Sequence, residues 1–122
     1  MDIRNLDEVT MNPVQMDGAN GVRMAIMVGR DDGAPHFAMR KFEVEPGGNT
    51  PRHQHDYEHE VIILGGSGTV LLHGEDRTLK AGDVLYVPAD SEHQFRADQG
   101  TSLEFICLVP VERNCGGDTP GS

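Results

Sequence analysis

Short apolar runs bounded by Gly, Pro, Asn or Asp recur along the whole chain, and a helical period is nearly absent. The pattern predicts strands over Val22–Val28, His36–Val44, Thr50–His55, His59–Leu64, Gly68–His73, Arg77–Leu79, Asp83–Val87, His93–Arg96 and Ser102–Val109. Fifteen glycines and seven prolines punctuate them. Gly29–Pro35, Glu45–Asn49 and Gly65–Gly68 read as connections, and His73–Asp76 as a hairpin turn. The fold class is therefore all-β, with residues 22–110 as one barrel. Residues 1–21 are expected to form an N-terminal arm or edge strand, with a helical turn started by Asp7 as the alternative. Residues 111–122, nearly devoid of apolar side chains, are expected to form a flexible tail.

Composition narrows the picture. A chain of 122 residues suits a single core, and with 37% hydrophobic residues, no Trp and six aromatics that core must be built from aliphatic strands. A net charge of −10 leaves no basic stripe to neutralise phosphates, which argues against a nucleic-acid partner. The longest apolar runs, Val61–Leu64 and Phe105–Val109, have strand length and not the length of a membrane span. A soluble, cytoplasmic protein is the expectation. Cys107 and Cys115 form neither a CxxC pair nor a disulfide framework, which fits a reducing compartment. Strand parity puts Cys107 on one face with Phe105 and Val109, hence inside. Cys115 reads as an exposed tail thiol.

The histidines carry the chemistry. Four of the six, His53, His55, His59 and His93, are spaced so that they can converge on one ion. Residues two apart on a strand share a face, so His53 and His55 offer adjacent imidazoles. A tight bend near Asp56 and Tyr57 would return His59 to the same side, and His93 would close the site from a distant strand. Neutral imidazole suits Mn, Fe, Ni, Cu or Zn. His36 and His73 lack such partners.

Pro46-Gly47 followed by His53-x-His55-x3-His59, and then Gly82-x5-Pro88-x4-His93, resembles the two sequence motifs of the cupin superfamily. The resemblance spans about Gly47 to Arg96, and it implies a single-domain jelly-roll β-barrel with a metal inside its mouth. The second motif departs from the pattern at Asp90, where a glycine is usual, and at Ala97, where an asparagine is usual. In the first motif the variable ligand falls on His59 after a three-residue gap, or on Glu60 after four. Parity favours His59, which resembles the small manganese- or iron-binding cupins with four histidine ligands. Glu60 then becomes a partner behind the ligands.

That resemblance implies one divalent transition metal per chain, Mn or Fe before Cu, Ni or Zn. Four neutral imidazoles leave the ion's charge uncompensated, which favours an anionic small-molecule substrate. Phe105 and Cys107 are candidates to line the open side, with Met39, Ile63, Leu85 and Phe95 as apolar wall. Arg40 reads as a solvated strand residue or as a partner for a substrate carboxylate. The expected activity is a dioxygenase-like oxidation using dioxygen or peroxide. A redox-neutral isomerase, lyase or decarboxylase is the alternative, drawing an acid or base from Glu60, Tyr57 or Glu92, and a non-catalytic sensor is a third reading. No residue is assigned a catalytic role from sequence alone. The edge strands of a small open barrel further suggest a homodimer.

Overall fold

Alternation shapes the last strand, where Leu103, Phe105, Cys107 and Val109 are buried and Glu104 and Leu108 are partly exposed, with Ile106 the one out-of-phase residue that is also buried. The computed structural model describes residues 3–112 and contains eight strands. They are β1 (Asn12–Pro13), β2 (Asn20–Val28), β3 (Phe37–Asn49), β4 (His59–Leu72), β5 (Glu75–Lys80), β6 (Val84–Val87), β7 (His93–Ala97) and β8 (Leu103–Pro110). Every pairing is antiparallel. β8 lies between β3 and β4, and β7 bridges the other side of the same two strands, so the ring β3–β8–β4–β7 closes. The barrel expected from sequence as open is thus closed, and β1, β5 and β6 are left at the margins.

Closure depends on β4. Its first half pairs with β8 and β6 and its second half with β5 and β7, so one strand serves both sides of the barrel. The expected break over Gly65–Gly68 is not a break. The strand continues through a register shift between Ile63 and Gly65, and Gly66 takes φ 78°. Such a bulge bends a strand without ending it, which apolar patterning cannot distinguish from a turn. The same holds for Glu45–Asn49, which lies within β3. Conversely, Thr50–His55 is not a strand. It is an extended segment with one isolated bridge, between His53 and His93.

Inside the ring, Phe105 stacks on Phe42 at 5.2 Å and on Phe95 at 4.5 Å between ring centroids, and aliphatic residues fill the remainder. The expected hairpin turn is present at His73 and Gly74, both with positive φ, a conformation suited to a two-residue link between β4 and β5. The N-terminal segment packs on its own barrel. Arg4 donates to the Met27 carbonyl and pairs with Asp32, Lys41 Nζ donates to the Leu6 carbonyl at 2.8 Å, and β1 adds to the edge of β2. The Arg4 hydrogen bond is the main reason the Asp32 carboxyl is lowered to about 2. Around Asp7 the chain makes a turn, with Glu8 N–H donating to the Asn5 carbonyl at 3.1 Å, and not a helix. The tail expected over 111–122, with Cys115, lies from residue 113 onward outside the described residues.

The bulge gives a sharp test. A Cβ on Gly66 would stand 1.7 Å from the Ser102 carbonyl oxygen, at a φ that L-residues avoid. Gly66→Ala should therefore destabilise the fold by about 2 to 4 kcal/mol. Gly74→Ala also has positive φ but meets nothing within 4 Å, and should cost only about 1 kcal/mol. Chemical denaturation of the two variants measures the difference. Equal losses would mean that the close approach to Ser102 does not constrain the bulge.

Candidate metal centre

The segment carrying His53 and His55 is held in place by β7, although it is not itself a strand. Thr50, fully buried, donates its N–H to the Phe95 carbonyl at 2.8 Å and accepts the Phe95 N–H on its hydroxyl at 2.8 Å. His53 and His93 exchange backbone hydrogen bonds of 3.2 and 2.9 Å. The His55 carbonyl then accepts from Asp90 N–H at 2.7 Å. Asp90 sits at φ 63°, so it adopts the left-handed conformation that a glycine would supply, and the departure at this position leaves the turn intact. The chain bends at Asp56 and Tyr57 and enters β4 at His59, as the spacing suggested.

These tethers gather the four rings. Ring centroids are 5.0 Å apart for His53 and His55, His53 and His93, and His55 and His93, 4.7 Å for His55 and His59, and 5.2 Å for His59 and His93. His53, His55 and His93 each bring a ligand atom to within 4.8 Å of the others, and His59 Nε2 lies 3.0 Å from His55 Nε2. His59 and His93 are buried, and His53 and His55 are half-buried toward the mouth.

The ring orientations are set from behind. His55 Nδ1 lies 3.2 Å from the Tyr57 carbonyl and His93 Nδ1 lies 2.9 Å from the Ser91 carbonyl. A carbonyl can only accept, so both Nδ1 atoms carry the proton, and Nε2 is then the atom whose lone pair a neutral ring offers to an ion. His59 Nδ1 meets Cys107 Sγ at 3.2 Å. Burial pushes the Cys107 thiol up, against the opposing pull of the neighbouring Arg40 guanidinium. Adjacent nitrogen ligands bound at about 2.1 Å and at right angles stand about 3 Å apart, so the His55 and His59 separation fits a shared divalent ion. The donor set fits the same group, since outward Nδ1 hydrogen bonds behind inward Nε2 atoms are the usual support of a metal-bound histidine.

The remaining candidates divide by strand face. Phe95, Phe105, Ile63 and Cys107 are buried and inward, and Leu85 packs partly against the core. Arg40 is fully buried, not solvated as one sequence reading had it; its Nη2 donates to Cys107 Sγ at 3.1 Å, and its guanidinium lies over the Phe42 ring. Met39 does not belong to the cavity wall. It is one residue out of phase with Arg40 and faces outward. Glu60 is likewise out of phase with His59: it is exposed and lines an outer groove of about 360 Å³ with His36, Phe37 and Leu108. It does not stand behind the histidines. Glu92 is exposed and paired with Arg52 at 3.2 Å on the surface. Tyr57 stacks flat on His55, with centroids 4.0 Å apart. Sequence reasoning missed the anchoring role of Thr50, whose only signal was a threonine just ahead of Pro51.

The profile of the cupin domain family matches residues 40–109. The polyketide cyclase RemF from Streptomyces resistomycificus superposes with a TM-score of 0.87 at 28% identity, covering 98% of this chain and 89% of that one. The 1-methylthio-D-xylulose 5-phosphate methylsulfurylase of Rhodospirillum rubrum is 37% identical over 76 residues, 62% of this chain and 49% of that protein. The acireductone dioxygenase of Saccharopolyspora erythraea is 37% identical over 60 residues, 46% of this chain and 30% of that protein. The chain thus spans half or less of the length of these two relatives.

Proposed function

The chain belongs to the cupin family, and on that premise we propose that it is a metal-dependent enzyme that oxidises a small organic substrate in the manner of a dioxygenase. The observation that carries the reading is the triad His53, His55 and His93, whose ligand atoms lie within 4.8 Å of one another, with the His59 ring against His55 and His93 and two of the rings oriented through backbone carbonyls. His53, His55, His59 and His93 would hold one divalent ion, manganese or iron first. When bound, such an ion supplies a Lewis acid and a one-electron centre. The protein's part is to orient the imidazoles, to exclude water with Phe95 and Phe105, and to bind the substrate. Glu60 and Glu92, the carboxylates considered for proton transfer, both face solvent, which favours chemistry that does not need them. Similarity to an acireductone dioxygenase supports the same direction.

A redox-neutral reaction has one specific observation in its favour, the match to a polyketide cyclase along nearly the whole chain. Tyr57, against His55, would then be the candidate proton donor. The two readings separate on oxygen consumption. Iron- or manganese-loaded protein, screened against enolisable dicarbonyl compounds, should consume dioxygen only when a substrate is present. Turnover without oxygen uptake would replace oxidation with the redox-neutral reading, and no turnover of any compound would leave a binding protein.

Ligand assignment has its own test. One ion per chain is expected, and His55→Ala or His93→Ala should abolish stoichiometric loading, whereas His36→Ala, His73→Ala and Glu60→Ala should load fully. His59→Ala should weaken loading by about tenfold or more. Full loading of His59→Ala together with loss in Glu60→Ala would reverse the choice of fourth ligand.

We also propose a homodimer. Register places Met39, Leu108, Glu60 and Tyr86 in one cross-strand row and Lys41, Ile106, Ile62 and Val84 in the next, on the outer face of β3, β8, β4 and β6, with Lys41 and Ile106 already buried and the exposed apolar part lying toward β4 and β6. Val84 is 75% exposed and Tyr86 60%, and Phe37 at the same end of β3 is 70% exposed. A second copy would cover this apolar face. Light scattering should return twice the chain mass, and Val84→Glu should return a monomer. A wild-type monomer across micromolar concentrations would contradict the proposal.

A further inference from the structure

We propose that Arg40 forms an anion-binding subsite beside the histidine cluster, receiving a carboxylate or similar oxyanion of the substrate. This deepens the functional reading above and rests on it for the identity of the bound molecule as substrate. Arg40 is wholly buried, yet it has no carboxylate within ion-pair distance among the described residues. Of its three nitrogens only Nη2 makes a hydrogen bond, to Cys107 Sγ at 3.1 Å, and Nε and Nη1 make none. A guanidinium is a cation with five donors and no acceptor, so its burial has to be met by hydrogen-bond acceptors or an anion. The face of Phe42, 5.0 Å away, attracts a cation far less than lost hydration costs it. A buried cation in this position calls for an anion, and a thiol sulfur is a weak acceptor.

Its place in the barrel says where that anion comes from. Arg40 projects inward from β3 between Ala38 and Phe42, and Cys107 links it to His59 through contacts of 3.1 and 3.2 Å. The guanidinium therefore sits on the histidine side of the core, and the small Ala38 is its inward neighbour toward the start of β3. A bifunctional ligand could reach the ion with one donor and Arg40 with its charged group. Bidentate guanidinium pairing with a carboxylate would then select acids over neutral analogues. Because Arg40 is sealed from solvent, entry of the anion requires the guanidinium to move toward the mouth.

The test uses oxalate as a dianionic probe and imidazole as a neutral ligand for the ion, with calorimetry on the full chain in metal-free and manganese-loaded forms. Wild type should bind oxalate in both forms, more tightly with manganese. Arg40→Gln should weaken oxalate binding by about 30-fold or more in both forms and leave imidazole binding to the loaded protein within about twofold. Arg40→Lys should fall between the two, and it carries the test if Arg40→Gln does not fold. Oxalate affinity unchanged in either variant would overturn the proposal. So would failure of metal-free wild type to bind oxalate, which would assign the guanidinium to Cys107 alone. Because the metal-free arm does not depend on loading, a protein that takes up no manganese would refute the metal reading without deciding the subsite.

Discussion

The site depends on which nitrogen of each histidine ring is committed to the protein behind it. At His55 and His93 the Nδ1–H is given to a backbone carbonyl, of Tyr57 and Ser91, and a carbonyl leaves no freedom in the tautomer. Each of those carbonyls lies two residues along the chain from its ring, so backbone conformation fixes ring orientation directly. His59 differs, because its Nδ1 meets the sulfur of Cys107 on a distant strand. The cluster is therefore fastened partly by local turns and partly by the packing of β8 on β4.

That division explains why the barrel must close where it does. β4 begins at His59 and continues through the Gly66 bulge to pair with β7, whose first residue is His93. Any change in the register of β4 would move His59 relative to Cys107 and His93 together. Because neighbouring positions on a strand point to opposite faces, a slip of one residue would exchange His59 for Glu60. The bulge, the stacked phenylalanines and the histidine cluster thus belong to one constraint. Arg40 belongs to it as well, since Cys107 contacts both the guanidinium and His59.

Much of this was legible in the sequence. Even spacing marked His53, His55 and His59, the second cupin-like motif marked His93, and alternation marked Phe105 and Cys107 as inward. Parity also separates His59 from Glu60, and applied in the same way to β3 it would have separated Arg40 from Met39. Arg40 read as solvated because arginine is seldom fully buried without a partner, and sequence does not show that packing has overridden that preference. Glycine-rich stretches read as turns at Gly65–Gly68 and Glu45–Asn49 because a bulge and a turn draw on the same residue type. Thr50–His55 read as a strand because its extended backbone has strand-like composition, whereas its hydrogen bonds go to Phe95, His93 and Asp90 one at a time.

Competition between protons and metal bears most directly on the central claim, that several neutral imidazoles hold one ion. An imidazole must lose its proton to coordinate, so releasing an ion from a cluster of them by acidification must take protons up. The stabilisation conferred by the ion is accordingly present near neutral pH and is lost as pH falls through the mildly acidic range. The deciding measurement is the number of protons absorbed per ion released as manganese-loaded protein is taken from about pH 7.5 to about pH 5. More than one proton per ion, with a fall in melting temperature that metal-free protein does not share, is the predicted result. One proton or fewer, or identical melting of the loaded and metal-free forms across that range, would contradict the account.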